Sequence, residues 1–94
     1  MRGADPMTTR CALTPAGALG WLASLSVDVR AAAVLDAAGA VLAGDPALAQ
    51  AREGSDLMVA RSERHAIVVR TGPRALKRLL RADLRVALEG LDIA

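Results

Sequence analysis

The chain predicts a small α/β domain of the α+β kind, with an antiparallel sheet and the element order α-β-β-(short α)-β-β-α. Three observations lead there. Residues 57–71 contain two short apolar runs around the polar turn Ser62-Glu63-Arg64-His65, and the chain then passes through Thr71-Gly72-Pro73 into one long amphipathic stretch, 74–91. Earlier, apolar runs at 29–35 and 40–43 flank Asp36-Ala37-Ala38-Gly39, where Asp opens a turn and Gly supplies the positive φ that closes it. Thr14-Pro15 and Asp45-Pro46 each pair a capping oxygen with a proline that has no amide to leave unsatisfied, so each opens a helix.

The elements follow in order. Residues 1–12 read as a flexible lead-in in which Met7 is an alternative start, and 13–94 as one domain. The first helix is expected to run from Thr14 to about Val27, with an apolar stripe of Ala18, Trp21, Leu22 and Leu25. Gly17, Gly20 and Ser24 form a small-residue seam that lowers helix propensity but permits close approach. Asp45-Pro46 and Gly54 leave room between them for only about two helical turns. Strands are expected at 57–61 and 66–70; the consecutive apolar residues Ile67, Val68 and Val69 call for cover on both sheet faces. The last helix places Leu76, Leu79, Leu80, Leu84, Ala87 and Leu91 on one broad arc, widened by Ala75, Ala82 and Val86.

Composition limits how much such a domain can bury. The 94 residues are 53% hydrophobic but only 1% aromatic, with Trp21 and no Phe or Tyr, so the core is made of Ala, Val, Leu and Ile. Alanine occurs 21 times, and small side chains bury little area each at roughly 25 cal/mol per Å². A thin core, strands apolar on both sides and a stunted central helix together predict a bare sheet face beside 45–53, covered by a second copy.

Charge and cysteine usage narrow the class of role. The net charge of +2 is mildly basic, which permits nucleic acid without requiring it. Cys11 is the single cysteine, so no internal disulfide exists and the thiol reads as a plain near-terminal one. The apolar stretch 11–27 after Arg2 and Arg10 has some features of a secretory signal, but Thr14, Pro15, Gly17 and Gly20 interrupt it, and its removal leaves little for a core. No run of 18 apolar residues exists to span a membrane, so a cytoplasmic location is the expectation.

Arg74, Lys77, Arg78, Arg81 and Arg85 form a basic stripe at helical spacing. Its plain reading is a solvated helix face; its functional reading is a docking surface for an acidic partner. The lack of aromatic platforms argues against nucleic acid. Asp83 projects between Leu76 and Leu79, inside the apolar arc, at about 100° per residue. A carboxylate there needs an ion pair, with Arg30 or Arg70, or a place at an interface. His65, the only histidine, reads as a solvated turn residue. No catalytic constellation, cofactor motif or metal-ligand spacing is present, and Gly72-Pro73 before a helix is too weak a signal for an anion site.

The ordered set, carried by Val34-Leu35-Asp36-Ala37-Ala38-Gly39-Ala40-Val41-Leu42-Ala43 and by Asp56-Leu57-Met58-Val59-Ala60-Arg61 leading to Ala66-Ile67-Val68-Val69, resembles the roadblock family of dynein light-chain-type domains and their bacterial relatives. With the flanking helices it spans most of 14–91. The resemblance implies that the N- and C-terminal helices share one sheet face, with a long central helix on the other. It also implies a homodimer that acts as a non-enzymatic adaptor or regulator of a small Ras-like GTPase. This chain departs from the family in its shortened central helix and in lacking the strand that follows it, both of which usually build the dimer. The alternatives are a structural oligomerisation subunit with no GTPase and a small basic nucleic-acid binder.

Overall fold

The computed structural model describes residues 14–25, 28–50, 54 and 56–93. The expected lead-in, Met7, Cys11 and the last two residues expected in the first helix lie outside them. The architecture is a four-stranded antiparallel sheet with two α-helices and one 3-10 turn.

Helix α1 (Pro15–Leu25) starts where its cap predicts. The Gly17 amide donates to Thr14 Oγ1 at 2.9 Å and the Ala18 amide to the Thr14 carbonyl at 2.8 Å. Ala18 and Leu22 are fully buried, and Leu19 and Trp21 pack at the margin. Leu25, expected in the stripe, is instead exposed, and so are Gly17, Gly20 and Ser24. A side chain added at Gly20 would meet nothing within 4 Å, so the expected seam is not packed against a neighbour.

Strands β1 (Val29–Asp36) and β2 (Val41–Gly44) form the first hairpin. Asp36 Oδ1 accepts from the amides of Ala38 and Ala40, both at 2.9 Å, and Gly39 takes a φ of 92°. Gly44 ends β2 at φ 94°, and a Cβ there would strike the Ala32 carbonyl and stand 2.7 Å from Ala33 Cα. The Asp45 carboxylate then caps the Ala47 amide at 2.9 Å, and Pro46–Gln50 forms a 3-10 turn where a two-turn α-helix was expected.

Strands β3 (Leu57–Arg61) and β4 (His65–Thr71) form the second hairpin, and β4 also pairs along β1, giving the order β2-β1-β4-β3. The central position of β4 explains its consecutive apolar residues. Ile67 and Val69 join Val34, Met58, the α1 residues Ala18 and Leu22 and the last helix in one core, while Ala66 and Val68 join Ala33, Leu35 and Leu48 in a second core on the opposite face. The face expected to be bare is therefore buried at its centre, because Leu48 of the 3-10 turn, 1% exposed, seats on it.

Helix α2 (Lys77–Ile93) begins three residues later than expected. Asp28, at φ 62°, takes the Gly72 amide on its carbonyl at 2.9 Å and the Arg74 amide on Oδ2 at 2.9 Å, which holds residues 72–74 in a turn. The buried stripe of α2 is Leu80, Leu84, Ala87, Leu88, Gly90 and Leu91. It includes Leu88, which the expected arc omitted, and excludes Leu76, Leu79, Ala82 and Val86, which are exposed. A helix lying on a sheet beside one short neighbour buries a single stripe, so the wider arc has nothing to pack on. Among the described residues no helix is long and apolar enough to cross a membrane.

Candidate interaction surfaces

Three separate surfaces converge on α2. The first is the basic stripe. Lys77, Arg78, Arg81 and Arg85 are exposed on α2, and Arg74 is exposed in the turn before it. Where Arg81 and Arg85 approach the sheet they line, with Leu88 of the helix and Val59, Ala60 and Arg61 of β3, a groove of about 170 Å³. Among the described residues no acidic side chain lines it. A wider hollow of about 410 Å³ at the start of the helix sets the cations Arg30 and Lys77 beside the carboxylate of Asp56 and is walled by Thr71, Gly72 and Pro73.

The second surface is an apolar flank. Leu79 and Val86 are 60% and 51% exposed, and Ile93 and the preceding Leu76 are similarly open to solvent. At about 100° per residue these positions lie together, on the side of the core stripe away from the basic one. Asp83 falls among them and is half-buried. No ion pair joins it to the described residues: Arg30, one of its expected partners, has its Nε 3.3 Å from Asp28 Oδ1. Asp28 itself is held below the usual carboxylate range by the Arg74 amide; its burial acts the other way, and Arg30 adds to the lowering.

The third is a polar cluster at the far end of α2. His65 lies on β4 with its side chain 15% exposed, so it is not the solvated turn residue expected, and its Nδ1 sits 2.7 Å from Asp92 Oδ1. The Ser62 hydroxyl donates to the same oxygen at 3.0 Å and accepts the His65 amide at 3.1 Å. Arg64 donates to the Asp92 carbonyl at 2.7 Å. Burial raises the Asp92 carboxyl pKa, but the hydrogen bonds from His65 and Ser62 and the charges of His65 and Arg64 prevail, so the net shift is downward.

This cluster contains a serine, a histidine and an aspartate, yet its connectivity differs from a nucleophilic triad. There the imidazole bridges hydroxyl and carboxylate. Here the carboxylate bridges the other two, so the serine oxygen has no base and the group acts as a clasp between the β3–β4 turn and the end of α2. Nothing in the sequence marks it, because His65 and Asp92 are 27 residues apart. Among the described residues no group of three or more His, Cys, Asp or Glu side chains is placed to hold a metal ion.

No family model, curated protein or solved structure matches the chain.

Proposed function

We propose that the protein is a non-enzymatic interaction module that works as a homodimeric adaptor or regulator, with a small Ras-like GTPase as its partner class. The observation that carries the interaction reading is the apolar flank of α2. Leu76, Leu79, Val86 and Ile93 recur on one side of a helix whose core stripe is already satisfied, and contiguous apolar surface of this kind marks contact sites on small domains. A two-fold contact through that flank brings Asp83 to an interface, the role a carboxylate among leucines suggests. The GTPase part rests on the roadblock resemblance, which draws support from the helix–hairpin–turn–hairpin–helix order and from both helices packing on one face. The sheet face over Leu48 is a poorer candidate for the dimer contact than α2, since its centre is already closed.

Light scattering tests the dimer. The wild-type chain is expected at twice its monomer mass at micromolar concentration, and Leu79→Glu with Val86→Glu as a monomer of unchanged circular dichroism. A wild-type monomer at every concentration sinks the homodimer. Titrating a Ras-like GTPase from the same source while following nucleotide hydrolysis tests the partner; no binding and no change in rate removes the GTPase from the reading and leaves a structural oligomerisation subunit.

A further inference from the structure

We infer that self-association of this domain is coupled to proton uptake at Asp83: a second copy closes over the carboxylate, Asp83 takes a proton from solvent as it leaves water, and the dimer tightens as the pH is lowered. The inference rests on the homodimer formed through the apolar flank of α2 and adds the regulation of that contact.

Asp83 is the polar interruption of the flank. Its neighbours one helical turn away are Leu79 and Leu80 on one side and Val86 and Ala87 on the other, with Ala82 and Leu84 next to it in the chain, and none of them carries a charge. At about 100° per residue Asp83 lies between the core stripe and the exposed pair Leu79 and Val86. The element beside α2 on the same sheet face is α1, which packs against α2, β1 and β2, and the sequence Pro15–Leu25 contains no titratable side chain. Asp83 is already half-buried, and among the described residues it has neither a hydrogen bond nor an ion pair. Water on its open side is what solvates it in the free domain.

A two-fold contact through Leu79 and Val86 removes that water from both copies. A carboxylate taken out of water with no cation to meet it is cheaper to bury neutral than ionised. Charged side chains do stand on the outer side of α2, namely Arg78, Arg85 and Glu89. By the same projection all three lie more than about 100° from Asp83 around the helix, beyond Leu79 and Val86, so none reaches it within its own chain. His65 faces Asp92 rather than the flank. Linkage then fixes the sign, because the state that binds more protons is favoured as pH falls. With one Asp83 from each copy in the contact, the dimer dissociation constant is expected to fall by roughly tenfold or more between pH 7 and pH 5. Both values lie above the range in which Asp28 and Asp92, whose carboxyls are held low, lose their charge.

The test is sedimentation equilibrium of the full chain at pH 7, 6 and 5 and fixed ionic strength, with Asp83→Asn and Asp83→Leu checked as folded by their melting curves. The wild-type dimer is expected to tighten at each step down. Both variants are expected to change by less than about threefold over the interval and to associate more tightly than wild type at pH 7, since neither has a charge to bury. A wild-type dissociation constant that is the same at pH 7 and pH 5 means that a cation of the second copy meets the carboxylate; that result overturns the inference and leaves the homodimer standing. A pH dependence that survives in Asp83→Asn assigns the proton to another group and overturns it as well. A wild-type monomer at every concentration and pH removes the homodimer, and the inference with it.

Discussion

Leu48→Ala is the substitution that best tests how so short a segment closes a sheet face. Leu48 is 1% exposed and is the sole residue of the 3-10 turn that is fully buried, seated on Ala33, Leu35, Ala66 and Val68. Two of those four neighbours are alanines, so the pocket has few long side chains able to swing into the space a truncation leaves. Leucine-to-alanine changes in cores cost about 2–5 kcal/mol, more where the site collapses poorly. A small domain has about 5–15 kcal/mol in total, and a domain of this length shifts by about 4–8 °C per kcal/mol. Leu48→Ala is therefore expected to lower the melting temperature by at least about 8 °C. Leu42→Ala, at a side chain 45% exposed, serves as the control and is expected to cost less than about 1 kcal/mol. Chemical denaturation at several protein concentrations is the assay. A loss that is independent of concentration supports a face closed from within the chain. An unchanged midpoint refutes the reasoning, and a loss that appears only at concentrations where the protein self-associates shows that a second copy, not Leu48, supplies the cover.

Four further outcomes follow from the same geometry. Gly44→Ala is expected to cost about 2–5 kcal/mol, because left-handed backbone strain of about 1–2 kcal/mol adds to an overpacking of about 1–3 kcal/mol against backbone that cannot rotate away; a midpoint within experimental error of wild type would falsify the turn geometry. The clasp at Asp92 makes stability acid-sensitive: its pKa is lower folded than unfolded, so its contribution is present at neutral pH and is lost as pH falls below about 4, and a urea series should show Asp92→Asn with a shallower acid decline, Asp28 still contributing. Charge reversal at Arg78, Arg81 and Arg85 is expected to lower the melting temperature less than Leu48→Ala does, since exposed charges typically contribute only a few tenths of a kcal/mol each; unfolding of the triple variant would mean the stripe is packed. Asp83→Ala is expected to change the dimer dissociation constant more than the unfolding midpoint of the monomer, and a midpoint change with no effect on association would place it in an intramolecular pair instead.

How far the sequence was legible depended on the range of the interactions involved. The hairpin at Asp36-Ala37-Ala38-Gly39 and the Thr14 cap could be read because donor, acceptor and turn glycine lie within four residues of one another. The basic stripe was legible for the same reason, its spacing being a property of one helix. The start of α2 was not, because the carboxylate that holds the Arg74 amide comes from Asp28, 46 residues away. Nor was the Ser62–His65–Asp92 clasp, assembled from a turn and a helix end with no spacing rule between them. The apolar arc of the last helix was read too wide: periodicity reports which side chains are apolar, whereas burial depends on what lies opposite. For α2 the neighbours cover Leu80, Leu84 and Leu88 but leave Leu79 and Val86 in solvent.

That excess of apolar surface, together with the groove, gives α2 a division of labour. Its core stripe holds the domain together, the flank of Leu79 and Val86 lies to one side, and Arg81 and Arg85 overhang the β3 edge on the other. At about 100° per residue the centres of the two exposed surfaces are more than 100° apart around the helix, so an occupant of one does not block the other.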